Sequence, residues 1–224
     1  MGATLPPKAM LLKRDFDSYD EFCDHLLVVD TALTGEPEDQ IVGTYRLLRH
    51  EVAIAHGGFY SGSEFGVDAL VARHPEKRFM ELGRSCVLPQ YRTKRTVELL
   101  WQGCWAYALH HRIDAMFGCG SFPGVQPEEH ALALSFLHQN AVAKGEWAVD
   151  ALPHLYREMD LMPSEAINAR RALFAMPPLI KGYLRLGSKV LGPPAWDPDF
   201  NAADLPMIMR IADMPARYRR HFGV

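Results

Sequence analysis

Short apolar runs separated by turn residues dominate the first part of the chain. Residues 23–30 (CDHLLVVD) carry an apolar run that ends shortly before Gly35 and Pro37, as in a strand leaving into a turn. Residues 41–48 alternate in part between apolar and polar side chains. The two segments together predict an antiparallel hairpin.

The middle of the chain predicts a strand, a loop, a helix and a second strand. Residues 78–88 (RFMELGRSCVL) are typical of a central strand that ends at Pro89. Residues 96–111 place apolar side chains at helical spacing, with Thr96 as the N-cap. Residues 113–119 predict a buried strand. This βαβ-like order indicates an α/β fold.

The C-terminal part is rich in proline. Pro127, followed by two glutamates, indicates the start of a helix that runs to about Asn140. Residues 179–186 and 205–214 are interpreted as strands. The chain has neither an internal repeat nor a low-complexity linker, so we predict a single domain over residues 1–224.

Composition excludes several classes of protein. The chain has 224 residues, of which 48% are hydrophobic, and its formal net charge is -3, which argues against a nucleic-acid-binding protein. No run approaches the ~20 apolar residues of a membrane span, and the N-terminus does not resemble a signal peptide. We therefore expect a cytoplasmic protein, held at most loosely at the inner face of the membrane by a lipid product.

The four cysteines do not indicate a metal site. They form no CxxC pair, and no His/Cys spacing matches a zinc site, so we predict that no metal is bound. The expectation is that the thiols are reduced and mostly buried.

Three basic residues follow the predicted central strand. Arg92, Lys94 and Arg95 precede a helix whose first N–H groups would carry partial positive charge. This arrangement indicates a phosphate-binding loop. The alternative is a solvated basic turn.

Residues 88–97 (LPQYRTKRTV) resemble the acyl-donor loop of Gcn5-related N-acyltransferases. Members of that superfamily that use acetyl-coenzyme A usually have glycines in this loop, whereas this chain has Thr93 and Arg95. The resemblance implies a donor with one phosphate, the 4'-phosphopantetheine of an acidic acyl carrier protein, and no permanently bound cofactor.

A narrower resemblance extends over nearly the whole chain. Seven segments, in this order, are similar to the bacterial L-ornithine N-alpha-acyltransferases, some of which are labelled haemolysins: residues 23–30 (CDHLLVVD), 42–49 (VGTYRLLR), 59–65 (FYSGSEF), 81–87 (ELGRSCV), 97–103 (VELLWQG), 117–124 (FGCGSFPG) and 179–187 (LIKGYLRLG). The resemblance implies an N-acyltransferase fold with a mixed, mostly antiparallel sheet flanked by helices. It also implies transfer of a 3-hydroxyacyl group from acyl carrier protein to the α-amine of L-ornithine, giving lyso-ornithine lipid.

Two other functions stay open. Residues 17–20 (DSYD) and 81–84 (ELGR) are similar to short elements of acyl-homoserine-lactone synthases, which suggests a signal synthase or an enzyme for another amine such as glycine. A non-catalytic copy that only binds the carrier protein is the third interpretation.

The resemblance implies a set of site residues. Glu81 would hold or deprotonate the substrate amine with Arg84 beside it, or else Glu81 is a buried structural partner of Arg84 or Arg46. A backbone N–H near Cys86 or Val87 would polarise the thioester carbonyl, and Cys86 itself is interpreted as a small core residue and not a nucleophile. The donor-binding residues would be Cys86, Val87, Arg92, Thr93, Lys94, Arg95 and Thr96, and the acceptor and acyl pocket would contain Asp17, Asp20, Asp24, Ser121 and Phe122.

The same family has a first strand and helices before the segment that corresponds to Met1. We therefore expect a sheet that lacks this strand and has an unpaired edge beside the hairpin of residues 41–48. A misplaced start codon and a truncated copy are the two explanations.

Overall fold

The computed structural model describes residues 11, 15–198 and 200–222. The strands are β1 (Asp24–Val29), β2 (Ile41–Arg49), β3 (Phe79–Val87), β4 (Ala115–Pro123), β5 (Lys189–Val190), β6 (Ala195–Asp197) and β7 (Ala202–Arg210). The helices are α1 (His50–Ala55), α2 (Val67–Arg73), α3 (Lys94–His110), α4 (Ala131–Ala141), α5 (Ala169–Ala175), α6 (Pro178–Leu186) and α7 (Ala216–Phe222). The predicted α/β class is confirmed.

The seven strands form one mixed sheet in the order β1-β2-β3-β4-β7-β5, with β6 also paired to β7. Every pairing is antiparallel except that of β3 with β4. The predicted hairpin and the mostly antiparallel sheet are therefore confirmed. Strand β1 lies at one edge, and residues 1–10 and 12–14, which precede it, lie outside the described part of the chain.

Strands β3 and β4 pair only at their beginnings. The register runs from Phe79 opposite Ala115 to Glu81 opposite Phe117, and then the two strands separate. At this point Gly118 comes so close to the other strand that an added Cβ would lie 2.3 Å from the carbonyl oxygen of Leu82. The separation of the two strands therefore begins inside β3, and it opens a cleft in the middle of the sheet.

A β-bulge deforms β3 beside this cleft. Thr44 pairs with Cys86 and Arg46 with Gly83, so one residue of β2 opposes two residues of β3. Arg84, within the bulge, has a left-handed φ of 49°. Regular alternation would have separated the side chains of Glu81 and Arg84, but the bulge lets both face the same cavity.

Helix α3 begins two residues earlier than its sequence pattern predicts. Its N-cap is Thr93, whose side chain accepts a hydrogen bond from the N–H of Thr96. Thr96 is instead a buried residue of the first turn, so its assignment as N-cap was wrong. The helix start moves closer to the basic loop as a result.

Residues 179–186, interpreted as a strand, form helix α6. Pro178 occupies the first turn, and Gly187 ends the helix in a left-handed conformation at φ 96°. Ile180, Tyr183 and Leu184 fall at the helical spacing i, i+3, i+4 and contact one core cluster. The apolar run was too short to distinguish a buried strand from a helix.

Two other boundaries differ from the prediction. The helix predicted from Pro127 begins as a 3-10 turn over Pro127–His130, and α4 follows it. The last strand covers Ala202–Arg210, not residues 205–214, because residues 211–213 turn into a 3-10 helix.

Within the described residues, no helix combines the length and apolar character needed to cross a membrane.

Candidate active site

A cavity of about 1450 Å³ follows the cleft between β3 and β4. Its walls come from β2, β3, β4, β6, β7 and from the helices α3, α6 and α7. The cleft therefore connects the basic residues at the start of α3 with charged side chains on the strands of the sheet.

Glu81 lies at the point where β3 and β4 separate. Its side chain is 5% exposed, and its two oxygens accept hydrogen bonds from the N–H groups of Tyr60 at 2.7 Å and Ser61 at 2.8 Å. Burial raises the pKa of Glu81 above its ordinary value, although these hydrogen bonds favour the ionised form. The result is a carboxylate that is fixed in orientation on the cavity wall and has a raised pKa.

Arg84 does not bond to Glu81. Its guanidinium binds Asp15 at 2.6 Å and Asp17 at 2.8 Å, while Arg46 binds Asp17 at 2.7 Å and Asp20 at 2.8 Å. Although burial opposes it, hydrogen bonds from Arg46 and Arg84 hold the pKa of Asp17 below its ordinary value. The interpretation of Glu81 as an ion-pair partner of either arginine is therefore not supported by a direct contact.

The three aspartates predicted to bind the acceptor do not line the cavity. Asp17 and Asp20 are engaged by arginines, and Asp17 also caps the turn that follows it. Asp24 accepts a hydrogen bond from Tyr107 and lies 3.6 Å from Arg49. The sequence does not reveal that the three aspartates contact arginines, and their role in binding the acceptor stays a prediction.

Cys86 is exposed and lines the cavity beside Val87, so its interpretation as a buried core residue was wrong. The β3 bulge turns this end of the strand out of the core. Past Glu81, one side of β3 pairs with β2 and the other side faces the cleft. Alternate backbone N–H groups of a strand point to its two sides, so the far end of β3 offers donors to the cleft. All four cysteines are free thiols, and only Cys104 is fully buried.

The predicted donor-binding residues cluster at the start of α3. Arg92, Thr93 and Lys94 line the cavity together with Val97. The Nε of Arg92 donates to the carbonyl of Val87 at 3.1 Å, which ties the loop to the end of β3. The Lys94 side chain is 90% exposed and lies 3.4 Å from Glu98.

Two members of the predicted donor set do not reach the cavity wall. Arg95 is exposed on the first turn of α3, and Thr96 is buried beneath it. The basic loop and the helix N-terminus nevertheless coincide, which is the arrangement that the phosphate-binding prediction requires.

Ser121 and Phe122 lie on opposite faces of β4. Ser121 lines the cavity, but Phe122 is completely buried in the core against α4. Strand alternation allows only one of the two neighbours to face the cleft. The placement of Phe122 in the acyl pocket was therefore wrong.

An acidic cluster in the same cavity was missed. Glu64, Cys119 and Asp204 place their side-chain oxygens and sulfur within 4.8 Å of one another, which makes them a group able to hold a cation. Asp204 pairs with Ser121 across β4 and β7, and Asp197 on β6 lines the same part of the cavity.

Burial and mutual repulsion perturb the cluster. Burial, with repulsion from Asp204 and Asp197, raises the pKa of Glu64 to about 8. Burial also raises the pKa of Asp204 to about 6, opposed by a hydrogen bond from Ser121. The pKa of the Cys119 thiol lies well above its ordinary value for the same reasons.

One signal in the sequence could have revealed this cluster. Asp204 is the only acidic residue in Ala202–Arg210, a strand whose positions are otherwise apolar apart from its last residue. A carboxylate inside a buried strand needs a partner or a function. Because the last strand was predicted to begin at residue 205, Asp204 fell outside it.

Comparison with known proteins identifies the family. Residues 1–102 match the model of an acetyltransferase (GNAT) domain. The chain is 64% identical to an L-ornithine N(alpha)-acyltransferase of Agrobacterium fabrum, covering all of this chain and 76% of that protein, and 63% identical to one of Rhizobium meliloti, covering all of this chain and 75% of that protein. A solved N-acyl amino acid synthase from uncultured soil microbes superposes with a TM-score of 0.49 at 12% identity, covering 96% of this chain and 86% of the other. On the two sequence matches, the chain is an acyltransferase that belongs to the L-ornithine N(alpha)-acyltransferase family.

Proposed function

We propose that this chain transfers a 3-hydroxyacyl group from acyl carrier protein to the α-amine of L-ornithine, giving lyso-ornithine lipid. The observation that carries the proposal is the single cavity in which the basic start of α3 and the Glu81 carboxylate lie on one continuous wall. A pantetheine thioester needs an anchor for its phosphate, and the amine needs a proton acceptor near the reacting carbon.

The donor would enter along the cleft. Its single phosphate would lie at the N–H groups of the first turn of α3, with Arg92 and Lys94 supplying positive charge. The pantetheine arm would then follow the unpaired side of β3 towards Glu81. A backbone N–H of β3 near Cys86 or Val87 would donate to the thioester oxygen as negative charge develops there.

The reaction needs no acyl-enzyme. The ammonium of the acceptor loses one proton to Glu81, directly or through water, and the nitrogen lone pair attacks the thioester carbonyl carbon. The C–S bond then breaks, the nitrogen loses its second proton as the amide forms, and the departing thiolate takes up that proton. Direct attack by the amine is the simpler route, because it requires no covalent intermediate on Cys86.

The donor and the amine are tested together by reconstitution. The purified chain is incubated with 3-hydroxyacyl carrier protein and ornithine, and the products are analysed by mass spectrometry. N-acylornithine with release of the free carrier thiol is the expected result. Product only with glycine or with a lactone-forming amine would show that a different acceptor is used, and no product with any amine would show that the chain only binds the carrier.

A further inference from the structure

The acidic cluster Glu64–Cys119–Asp204 lies in the cavity. Among the described residues, no basic side chain forms an ion pair with this cluster. Asp204 is 8% exposed, and its Oδ1 atom is buried without a hydrogen-bond partner. A buried carboxylate oxygen costs free energy unless a donor reaches it. Because Asp204 lines the cavity, a ligand inside the cavity can supply that donor.

The charged groups around the cluster are mainly acids. Those acting on Glu64 are Asp204 from β7, Asp197 from β6 and Glu81 from β3, with the Cys119 thiol from β4. Arg46 and Arg84, two of the arginines that line the cavity, are already held by Asp15, Asp17 and Asp20. The cluster thus groups acids that raise one another's pKa, and a cationic ligand would favour their ionised forms.

The cluster is connected through strand β4 to Glu81, where the amine is proposed to react. Glu81 pairs with Phe117 on β4, and Cys119 and Ser121 follow on the same face of that strand. Repulsion from Glu81 contributes to the raised pKa of Glu64, and both residues line the same cavity as Asp204. A small molecule with its reacting amine at Glu81 would therefore present a second cationic group to Glu64 and Asp204.

We propose that Glu64 and Asp204 bind the side-chain ammonium of the acceptor and thereby select a basic amino acid over a neutral one. This inference rests on the proposed function for the identity of the acceptor, but it names a specificity site that the predicted acceptor residues did not include. Cys119 closes the site at 3.9 Å from Glu64.

An ammonium fits the cluster better than a divalent metal. An ammonium has three N–H donors and can be met by carboxylate oxygens while the thiol stays protonated. Metal binding would require Cys119 to lose its proton, and burial among acids opposes that loss. The raised pKa of Glu64 also means that the empty site takes up a proton near neutral pH, which an incoming ammonium would displace.

The test compares two ligands that differ only in the side-chain ammonium. Short-chain N-acylornithine and N-acylnorvaline are titrated into the full chain by calorimetry, so that binding is measured without catalysis. We expect the ornithine compound to bind more tightly, and Glu64→Gln and Asp204→Asn each to reduce this preference by about 10- to 100-fold, as for the loss of a charge-assisted hydrogen bond. Glu98→Gln, which removes a carboxylate at the α3 end of the same cavity, should leave the preference unchanged.

Turnover supplies a second, independent measurement. For the variants, KM for ornithine should rise while that for norvaline does not, whereas a folding defect would raise both alike. Equal binding of the two compounds by the unaltered chain would overturn the specificity site even if ornithine is acylated. If the chain prefers N-acylornithine but acylates no ornithine, the site stands and the proposed function fails. A preference that is lost with a chelator would identify a metal site and overturn the proposal.

Discussion

Two carboxylates that line the cavity, Glu81 and Glu64, differ in what surrounds them. Glu81 receives two backbone N–H groups, whereas Glu64 faces other acids and a thiol. The first is therefore held in one orientation beside the cleft, and the second is left to gain or lose a proton according to what binds. This difference leads to separate predictions for the two residues.

Replacing Glu81 with glutamine should reduce kcat by about 10²- to 10⁴-fold, the usual cost of removing a general base. The amide keeps the size of the side chain and one oxygen acceptor, so one of the two N–H contacts with Tyr60 and Ser61 remains. Steady-state rates across pH and a thermal melt check the two parts of the prediction. A folded variant with a near-normal rate at every pH would rule out the proposed role of Glu81.

Replacing Glu64 with glutamine should make the ligand-free protein more stable at high pH. The folded pKa of about 8 lies above the ordinary value of 4.5, so the stability that Glu64 contributes is complete below about pH 4.5 and is lost as pH rises through about 8. Glutamine does not titrate, and the variant should gain on the order of 1–3 kcal/mol over the unaltered chain at high pH, allowing for partial solvent screening.

Urea unfolding at about pH 5 and about pH 9 measures this difference. A Glu76→Gln control on an exposed side chain should change the free energy of unfolding equally at both pH values. A Glu64→Gln effect of the same size at both values would show that the carboxylate does not titrate as described.

The sequence correctly placed individual residues in the cavity only where their neighbours along the chain determine that position. The basic residues Arg92 and Lys94 reach the cavity because they precede a helix on the chain itself. The contacts of Asp17 with Arg46 and Arg84 span 29 and 67 residues, and those of Asp204 depend on the pairing of β7 with β4. Long-range contacts of this kind are not encoded in local spacing.

At the scale of elements, the cleft depends on how closely β3 and β4 approach before they separate. Pairing ends at Glu81 and Phe117, and Gly118 follows immediately where the Leu82 carbonyl approaches its backbone. The absence of a side chain at residue 118 therefore permits the narrow end of the cleft.

Gly118→Ala should destabilise the fold by about 1–3 kcal/mol, the typical cost of overpacking. The new Cβ would lie 2.3 Å from a backbone oxygen, which cannot rotate away as a flexible side chain could. Gly83→Ala is a matched control on the neighbouring strand, because its Cβ would meet nothing within 4 Å. Chemical denaturation of both variants makes the comparison, and equal stability of the two would show that the close approach is unimportant.

The sequence predicted elements well where a pattern was long and poorly where it was short. The seventeen residues of α3 and the nine of β3 were recognised with small errors at their ends. The nine residues of α6 carry an apolar content that suits a strand or a helix, and only packing against the core decides between them. The separation of β3 from β4 and the bulge in β3 arise from pairing between strands, which local spacing along the chain does not reveal.

On the scale of the whole molecule, charge is distributed unevenly although the net charge is only -3. Arg92 and Lys94 line the cavity at the start of α3, whereas Glu64 and Asp204 line it together in the acidic cluster. The proposed donor is acidic and the proposed acceptor is basic, so each would meet charge of the opposite sign. Such an arrangement affects the rate of encounter and the choice of partner more than it affects folding.

The positive charge at the start of α3 allows the identity of the donor to be tested. Replacing Arg92 and Arg95 together with alanine should raise KM for an acyl carrier protein thioester more than it lowers kcat, because both side chains lie exposed at the start of α3 where an acidic partner would dock. The rate of the unaltered chain with carrier protein should fall steeply with salt, since the Debye length shortens from ~10 Å at 0.1 M to ~3 Å at 1 M. The control replaces Arg170 and Arg171, two exposed arginines on α5 outside the cavity, and should leave KM for the carrier unchanged. The measurement pairs one acyl chain on carrier protein with the same chain on coenzyme A at low and high salt. Equal use of both donors, or a rate with carrier protein that does not depend on salt, would show that the loop binds pantetheine alone. Only a surface contact with the acidic carrier can make the two donors differ in their response to salt.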